Sequence, residues 1–170
     1  MGGTMEIQSV QNEGTKISLF LPMASEPVKP SKPMPPRGEH RGCENILVVE
    51  DQVEVSELVS TVLERRGYSV EVAAHGREAL ERLNSKPNGF QLVLSDVVMP
   101  VMGGVELFRA LRRQGVEIPI LLMSGYVEDA RALPALPGGD PPFLAKPFTA
   151  QGLLTAIRQL LDEKLEKTLP

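Results

Sequence analysis

From residue 44 onward, short apolar runs alternate with longer segments whose apolar residues recur every three or four positions. The runs are typical of strands buried on both faces, and the longer segments are typical of helices. Strands are predicted at 46–49, 69–73, 92–94, 118–123 and 143–145, and helices around 55–63, 79–83, 107–111 and 153–161. Five strands alternating with helices predict an α/β fold, a doubly wound parallel sheet with helices on both faces.

The segment between the fourth and fifth predicted strands interrupts this alternation. It contains Pro134, Pro137 and the pair Gly138-Gly139, and both residue types disfavour the interior of a helix. We therefore expect about two turns of helix at most between Ser124 and Phe143.

Two different segments precede the first predicted strand of this sheet. Residues 5–9 and 16–21 alternate between apolar and polar side chains on either side of Gln11–Gly14, which predicts a β-hairpin. Because an isolated hairpin is only marginally stable in water, we expect this one to be the end of something larger. Residues 24–43 contain five prolines and few apolar side chains, which predicts a semi-stiff linker. The alternative is a disordered tail without function.

Composition narrows the class of protein. Hydrophobic residues make up 42% of the chain and aromatic residues only 4%, so the core must be aliphatic. The formal net charge of −4 argues against a nucleic-acid partner, which would require clustered Lys and Arg. No apolar run approaches the roughly 18 residues of a membrane span, and the N-terminus lacks the pattern of a secretory signal. The single cysteine, Cys43, excludes an internal disulfide and a cysteine-based zinc site. We therefore expect a soluble cytoplasmic protein without direct membrane contact.

Polar side chains stand where the predicted strands end. They are Glu50 and Asp51 after the first strand, Asp96 at the end of the third, Ser124 at the end of the fourth and Lys146 after the fifth. The carboxyl ends of parallel strands meet at one edge of the sheet, and reactive groups collect near the point where the strand order reverses. We therefore expect these side chains to share one site.

Clustered carboxylates suggest a metal ion and phosphoryl chemistry. Two carboxylates about 4 Å apart repel each other by ~1 kcal/mol in water and by several times more in a protein. Such a cluster is costly unless a divalent cation occupies it, and oxygen ligands suit Mg²⁺. A carboxylate beside that cation can attack a phosphoryl donor and become an acyl phosphate. The metal, a lysine and a hydroxyl can then neutralise the transferred oxygens.

Four motifs carry a resemblance to a known family. They are Ile-Leu-Val-Val-Glu-Asp at 46–51, Leu-Ser-Asp-Val-Val-Met-Pro at 94–100 with glycines at 103 and 104, Met-Ser-Gly at 123–125, and Lys-Pro-Phe at 146–148. In this order over residues 44–165 they resemble the receiver domains of response regulators. The resemblance implies a flavodoxin-like receiver fold, whose five-stranded parallel sheet has the order 2-1-3-4-5.

The same resemblance implies a phosphoacceptor and a metal cofactor. Asp96 would take the phosphoryl group, and Mg²⁺ would be bound by Asp51, by Asp96 and by the backbone carbonyl of Val98. Glu50 would act on the metal through water. The phosphoryl group would be exchanged with a histidine kinase or a histidine phosphotransfer protein. Whether the protein also forms a weak homodimer is left open.

The remaining motif residues would form the switch. Lys146 would be the ion-pair partner of the phosphoryl group, Ser124 the hydroxyl that follows it, and Phe143 the aromatic switch residue. The Lys146–Pro147 bond is expected to be cis, which is otherwise uncommon. The short helix expected after Ser124 departs from the family pattern and puts the usual switch face in doubt.

A second, shorter resemblance lies at the N-terminus. Residues 2–9 and 14–22 resemble the last hairpin in the ATP-binding domain of sensor histidine kinases. We therefore expect the chain to be the C-terminal part of a hybrid kinase. Its segments would be the remnant of the ATP-binding domain (1–23), the linker (24–43), the receiver domain (44–165) and a tail (166–170). Because the ATP-binding motifs and the phosphorylated histidine of such a kinase are absent, no kinase activity is expected. His40 and His75 are expected to be surface histidines.

Three other functions fit the sequence less well. A haloacid-dehalogenase-like phosphohydrolase also uses an aspartate at a strand end, but it needs a second acid two residues later, where this chain has Val98. A receiver-like scaffold that binds partners without phosphorylation usually lacks an acidic or lysine position that this chain retains. A DNA-binding regulator needs an output domain, and only a few residues follow the last predicted helix.

Overall fold

The computed structural model describes residues 4–11, 14–20, 42–125 and 141–168. The chain divides into two compact units, Met1–Pro36 and Arg37–Pro170. The boundary between the units falls within the predicted linker. Most of that linker, His40 and the short helix expected after Ser124 lie outside the described residues.

The first unit contains a β-hairpin, as its alternating sequence predicts. β1 (Thr4–Val10) pairs antiparallel with β2 (Gly14–Phe20). Ile7 lies opposite Ile17, and Met5 lies opposite Leu19 two residues along the same face. All four of these side chains are more than half exposed. The hairpin therefore presents an apolar face.

The second unit is built on a five-stranded parallel sheet. Its strands are β3 (Asn45–Val49), β4 (Ser69–Ala73), β5 (Leu92–Asp96), β6 (Ile120–Ser124) and β7 (Phe143–Ala145). The helices in the described ranges are α1 (Val53–Glu64), α2 (Gly76–Ser85), α3 (Gly104–Arg113) and α4 (Ala150–Thr168). The strand order β4-β3-β5-β6-β7 is the predicted order 2-1-3-4-5, which confirms the doubly wound fold.

The sheet is buried on both faces by two aliphatic clusters. Successive residues of β3 alternate between them: Leu47 and Val49 pack with residues of α2 and α3, whereas Ile46 and Val48 pack with residues of α1 and α4. This alternation explains why the strand sequence is a continuous apolar run, since neither face meets water. Leu, Ile and Val make up most of both clusters, in line with the low aromatic content.

One strand boundary differs from its prediction. The apolar run suggests a strand from residue 118, but β6 begins at Ile120. The physical reason is Pro119, which has no backbone N–H to donate to a neighbouring strand. Its carbonyl still accepts a hydrogen bond from the Val93 N–H at 2.9 Å, so the proline lies beside β5 without belonging to the strand.

Local signals define the ends of two helices. Gly67, with a φ of 92°, follows α1, and its N–H donates to the Glu64 carbonyl at 2.9 Å; this left-handed conformation favours glycine. Thr149 caps α4 as predicted, because its Oγ1 accepts a hydrogen bond from the Gly152 N–H at 3.0 Å. α4 continues to Thr168, into the segment predicted as a tail. Within the described ranges, no helix has the length and apolar character needed to cross a bilayer.

Candidate functional site

Three acidic side chains meet where the strand order reverses. β3 and β5 lie side by side although β4 comes between them in the chain, and their register pairs Val49 with Ser95. Glu50 and Asp96 therefore stand at the same level of the carboxyl edge, with only 2% and 8% of their surface exposed. Asp51 is exposed. Carboxylate oxygens of the three residues lie within 4.8 Å of one another.

Lys146 bridges two of these acids. Its Nζ lies 2.9 Å from Glu50 Oε2 and 3.1 Å from Asp96 Oδ2. The lysine directly follows β7, and its backbone N–H donates to the Ser124 carbonyl at 2.7 Å. The peptide bond between Lys146 and Pro147 is cis, as the resemblance implies. The sheet thus brings together four of the predicted site residues from β3, β5 and β7.

The charges in this cluster do not balance. Burial raises the pKa of Glu50 above its usual 4.5, against the pull of the Lys146 ammonium, and the neighbouring Asp96 adds to the rise. Burial also opposes the charge on Lys146, but the hydrogen bonds and attraction of Glu50 and Asp96 outweigh it and raise the pKa of Lys146 above 10.5. Both pKa shifts are upward, and they are consistent with each other because a single ammonium faces two carboxylates. An excess of negative charge is left that favours a cation.

The Asp96 carboxylate is held at both oxygens. Asp96 Oδ1 accepts a hydrogen bond from the Val97 N–H at 2.8 Å, and Oδ2 faces Lys146. The Val97 N–H also donates to the Met123 carbonyl of the neighbouring strand at 3.0 Å. The carboxylate orientation is therefore tied to the backbone of β5 and β6.

The other predicted site residues surround this centre at different depths. Ser124 ends β6, beside β5, and is buried. Phe143 begins β7 and is partly buried against the cluster beneath α2 and α3. The Val98 side chain follows β5 and is 68% exposed. Ser124 and Phe143 thus lie on the two strands nearest Lys146.

The donor set fits a hard divalent cation. It consists of carboxylate oxygens only, one residue exposed and two buried. Mg²⁺ prefers such ligands and keeps several waters, and the exposed position of Asp51 leaves room for them. Glu50, Asp51 and Asp96 therefore fit the magnesium cofactor that the resemblance implies.

Sequence reasoning missed two features around the site. His75, expected to be a plain surface histidine, is the N-cap of α2, because its Nδ1 accepts a hydrogen bond from the Glu78 N–H at 3.2 Å. Val101 has a φ of 67°, which is rare for a β-branched residue. The histidine could have been recognised from its position before Glu78, three residues into the helix. No sequence signal marks Val101.

Comparison with protein families agrees with this geometry. The family model described as response regulator receiver domain matches residues 46–158. The sensor kinase CckA of Brucella abortus is 36% identical over an alignment of 173 positions that covers 96% of this chain and 18% of CckA. A transcriptional regulatory protein of Haemophilus influenzae, a CpxR homolog, is 36% identical over 68% of this chain. This chain spans 49% of that regulator, so it covers about half or less of either relative.

Solved structures resemble the second unit. The chemotaxis response regulator CheY4 of Vibrio cholerae matches with a TM-score of 0.60 and 32% identity, over 70% of this chain and 99% of CheY4. A response regulator receiver domain protein of Clostridium thermocellum matches with a TM-score of 0.67 and 26% identity, over 74% of this chain and 99% of that protein. The match therefore covers nearly the whole length of single-domain proteins of this fold.

Proposed function

This chain belongs to the response regulator receiver family, and we propose that its Asp96 accepts a phosphoryl group in a two-component phosphorelay. One observation carries the proposal. Lys146 Nζ bridges Glu50 Oε2 and Asp96 Oδ2, two of three carboxylates whose oxygens lie within 4.8 Å of one another. A buried aspartate held beside a cation and a metal-binding acid pair has the arrangement needed for phosphoryl transfer.

The proposed step is a displacement at phosphorus. A carboxylate oxygen of Asp96 attacks the phosphorus of a phosphohistidine, and a P–O bond forms. The bond from phosphorus to the imidazole nitrogen breaks, its electron pair stays on that nitrogen, and the nitrogen takes a proton from solvent. The products are an aspartyl phosphate and a neutral histidine.

The surrounding residues stabilise the charge that is transferred. Glu50, Asp51 and Asp96 would hold Mg²⁺, with the Val98 carbonyl as a further ligand and Glu50 acting through water. When bound, Mg²⁺ neutralises charge on the phosphoryl oxygens. Lys146 Nζ already faces Asp96 Oδ2 at 3.1 Å and can pair with the phosphoryl oxygens that arrive there.

The switch would involve β6, which neighbours β5, and the edge strand β7 beyond it. The hydroxyl of Ser124 moves to bond the phosphoryl group, and Phe143 follows as space opens beside it. Both residues lie in strands joined by the register Ser124–Ala145, so a shift of one strand end is transmitted to the other. Partner binding changes with this movement.

We also propose that the chain derives from a hybrid histidine kinase with cytoplasmic signalling domains. The similarity to CckA extends over 96% of the chain, and so includes the N-terminal hairpin as well as the receiver domain. Residues 1–23 would then be the end of an ATP-binding domain, 24–43 the linker, 44–165 the receiver and 166–170 a tail. The donor would be a phosphohistidine of a histidine kinase or a phosphotransfer protein.

Intact-mass measurement with Mg²⁺ and acetyl phosphate tests the acceptor. The wild type should gain one phosphoryl group and Asp96→Asn none. Asp162→Asn is the matched control, because Asp162 is an exposed aspartate of α4 that pairs with Arg158 outside the acid cluster; it should be modified like the wild type. Modification of Asp96→Asn at equal yield would contradict the assignment. A wild type that is never modified would favour a phosphorylation-independent scaffold.

A further inference from the structure

Ser95 is a polar side chain with no access to solvent. It precedes Asp96 in β5, and its exposed surface is 0%. A buried hydroxyl is costly unless it forms a hydrogen bond. Its Oγ donates to the backbone carbonyl of Asp96 at 2.9 Å, so the residue that sits next to the acceptor also binds it.

The carbonyl that Ser95 holds belongs to a peptide unit with a second function. The N–H of the same unit, that of Val97, donates to Asp96 Oδ1 at 2.8 Å and to the Met123 carbonyl at 3.0 Å. Because a peptide unit is planar and rigid, fixing its carbonyl also fixes the direction of its N–H. Ser95 therefore acts on Asp96 Oδ1 through one rigid group.

The first residue of α3 closes the space around that carbonyl. A Cβ atom at Gly104 would lie 2.3 Å from the Asp96 carbonyl oxygen and 2.8 Å from Ser95 Oγ. The Gly104 N–H donates to the Val97 carbonyl at 3.1 Å. Glycine is thus required for α3 to begin this close to the acceptor, and its backbone leaves the carbonyl little room to turn away from Ser95.

We propose that Ser95 is a positioning residue for the acceptor. Its hydroxyl fixes the Asp96–Val97 peptide, the Val97 N–H holds Oδ1, and Oδ2 is thereby aimed at Lys146 Nζ, 3.1 Å away. Asp96 is 8% exposed, so a donor can approach it from one side only. Its carboxylate must therefore keep one orientation for an attack on phosphorus. The proposal rests on the proposed role of Asp96 as phosphoacceptor.

Three substitutions separate the hydroxyl from the volume of the side chain. Ser95→Ala removes the hydroxyl, Ser95→Cys keeps the volume with a weak donor, and Ser95→Thr keeps the hydroxyl. Ser56→Ala is the matched control, because Ser56 is also a buried serine, and its Oγ donates to the Val53 carbonyl at 2.9 Å. Phosphorylation by acetyl phosphate is followed at saturating Mg²⁺, together with the NMR amide signal of Val97.

Loss of orientation should affect the maximal rate more than the donor concentration at half-maximal rate. We expect Ser95→Ala and Ser95→Cys to lower the maximal rate roughly tenfold and to shift the Val97 amide signal. Ser95→Thr and Ser56→Ala should leave both near the wild type. Should Ser95→Thr not fold, the contrast between Ser95→Cys and Ser56→Ala decides.

Two results would overturn the proposal. One is a phosphorylated wild type whose rate and Val97 signal are unchanged by Ser95→Ala and Ser95→Cys. The other is an equal loss in Ser56→Ala, which would indicate a general effect of a lost buried hydroxyl. If the wild type itself is not phosphorylated, the acceptor assignment fails, and the Val97 signal still shows whether Ser95 orients the peptide.

Discussion

The ammonium of Lys146 lies 2.9 Å from the Glu50 carboxylate, although 96 positions separate the two residues in the chain. Their strands, β7 and β3, are not neighbours in the sheet, because β5 and β6 lie between them. The lysine side chain spans the carboxyl edge and passes Asp96 on its way. This contact joins Glu50, on the proposed metal-binding side of the site, to the lysine that is proposed to pair with the phosphoryl group.

Lys146→Met should destabilise the fold as well as impair phosphorylation. The Glu50 side chain has 0% exposed surface and Lys146 24%, so the substitution leaves a buried carboxylate without its cation. Breaking a buried pair costs about 3–5 kcal/mol, and we expect ~2–3 kcal/mol here in EDTA because the lysine is partly solvated. Urea unfolding measures the loss.

A surface pair provides the control for this loss. Lys86 pairs with Glu71, but 53% of the Lys86 side chain is exposed, so Lys86→Met should cost less than about 1 kcal/mol. The double variant Glu50→Gln/Lys146→Met should recover part of the stability, since only one of the two buried carboxylates that Lys146 bridges, that of Asp96, is then left without its cation. Equal losses in Lys146→Met and Lys86→Met would refute the buried pair.

Magnesium affinity should depend on Asp51 more than on Glu50. Asp51 is exposed at the mouth of the cluster and has a direct role in the proposed coordination, whereas Glu50 already pairs with Lys146. Loss of a directly bound charge weakens a small hard cation most. Titration of Asp51→Asn and Glu50→Gln with Mg²⁺ compares the two, with Asp162→Asn as a control outside the site. An equal decrease in affinity would argue against the proposed order.

Acid should remove a contribution of Glu44 to stability. Burial tends to raise the pKa of Glu44, but the hydrogen bond from Arg158 at 2.8 Å and the Cys43 N–H outweigh it and hold the pKa below the usual 4.5. A lowered folded-state pKa means that the stabilisation is complete above about pH 4.5 and is lost as pH falls through the folded-state value.

Because Arg158 also pairs with Asp162, the effect of Glu44 is tested in an Asp162→Asn background by the variant Arg158→Gln. It should be less stable than Asp162→Asn alone near pH 7, and the difference should shrink as the pH is lowered below about 4, because the protonated Glu44 gains nothing from the arginine. Urea unfolding at a series of pH values provides the curve. A difference that stays constant down to pH 3 would exclude Glu44 as its source.

Replacing Val101 should stabilise the receiver domain. Its φ of 67° lies in the left-handed region, and the Met102 N–H donates to the Pro100 carbonyl at 2.7 Å, which makes Val101 the centre of a γ-turn. This turn is strained, and it disfavours a β-branched residue. Val101→Asn should raise the free energy of unfolding by about 1 kcal/mol.

A second valine of the same loop tests the cause. Val98 is exposed like Val101 but is not among the residues with positive φ in the described chain. Val98→Gly should therefore lower stability by about 0.5–1 kcal/mol, whereas Val101→Gly should not. Destabilisation by both glycine variants would show that strain at Val101 is absent.

Charge on α1 should control transfer from the phosphohistidine partner. Glu54 and Glu57 are exposed in the half of α1 nearest Asp51, and a docked partner would meet them beside the acid cluster. Glu54→Lys and Glu57→Lys should alter the transfer rate severalfold, in a manner that depends on salt. Glu64→Lys at the far end of the helix is the control, and phosphorylation by acetyl phosphate should be unchanged in all three. A transfer rate that is the same in Glu54→Lys, Glu57→Lys and the wild type would count against α1 as the docking surface.

The sequence alone determined the element order, the parallel sheet and the identity of the acid cluster. These follow from local patterns: an apolar run as short and as rich in β-branched residues as Ile46–Val49 favours a strand buried on both faces, and the strand ends indicate which polar residues meet. The cap at Thr149 was equally visible, because capping involves residues only three positions apart.

Only the tertiary structure decided how the site residues pair. Nothing near Lys146 in the chain indicates that Glu50 and Asp96 are its partners, since the contact depends on four strands being laid side by side. The same holds for Ser95, because nothing in the sequence indicates the role of its hydroxyl. The role is visible only in the fold, where Gly104 brings the start of α3 against the Asp96 carbonyl. Val101 has a positive φ although its β-branched side chain disfavours it, so this conformation is imposed by the surrounding structure and not by the residue itself.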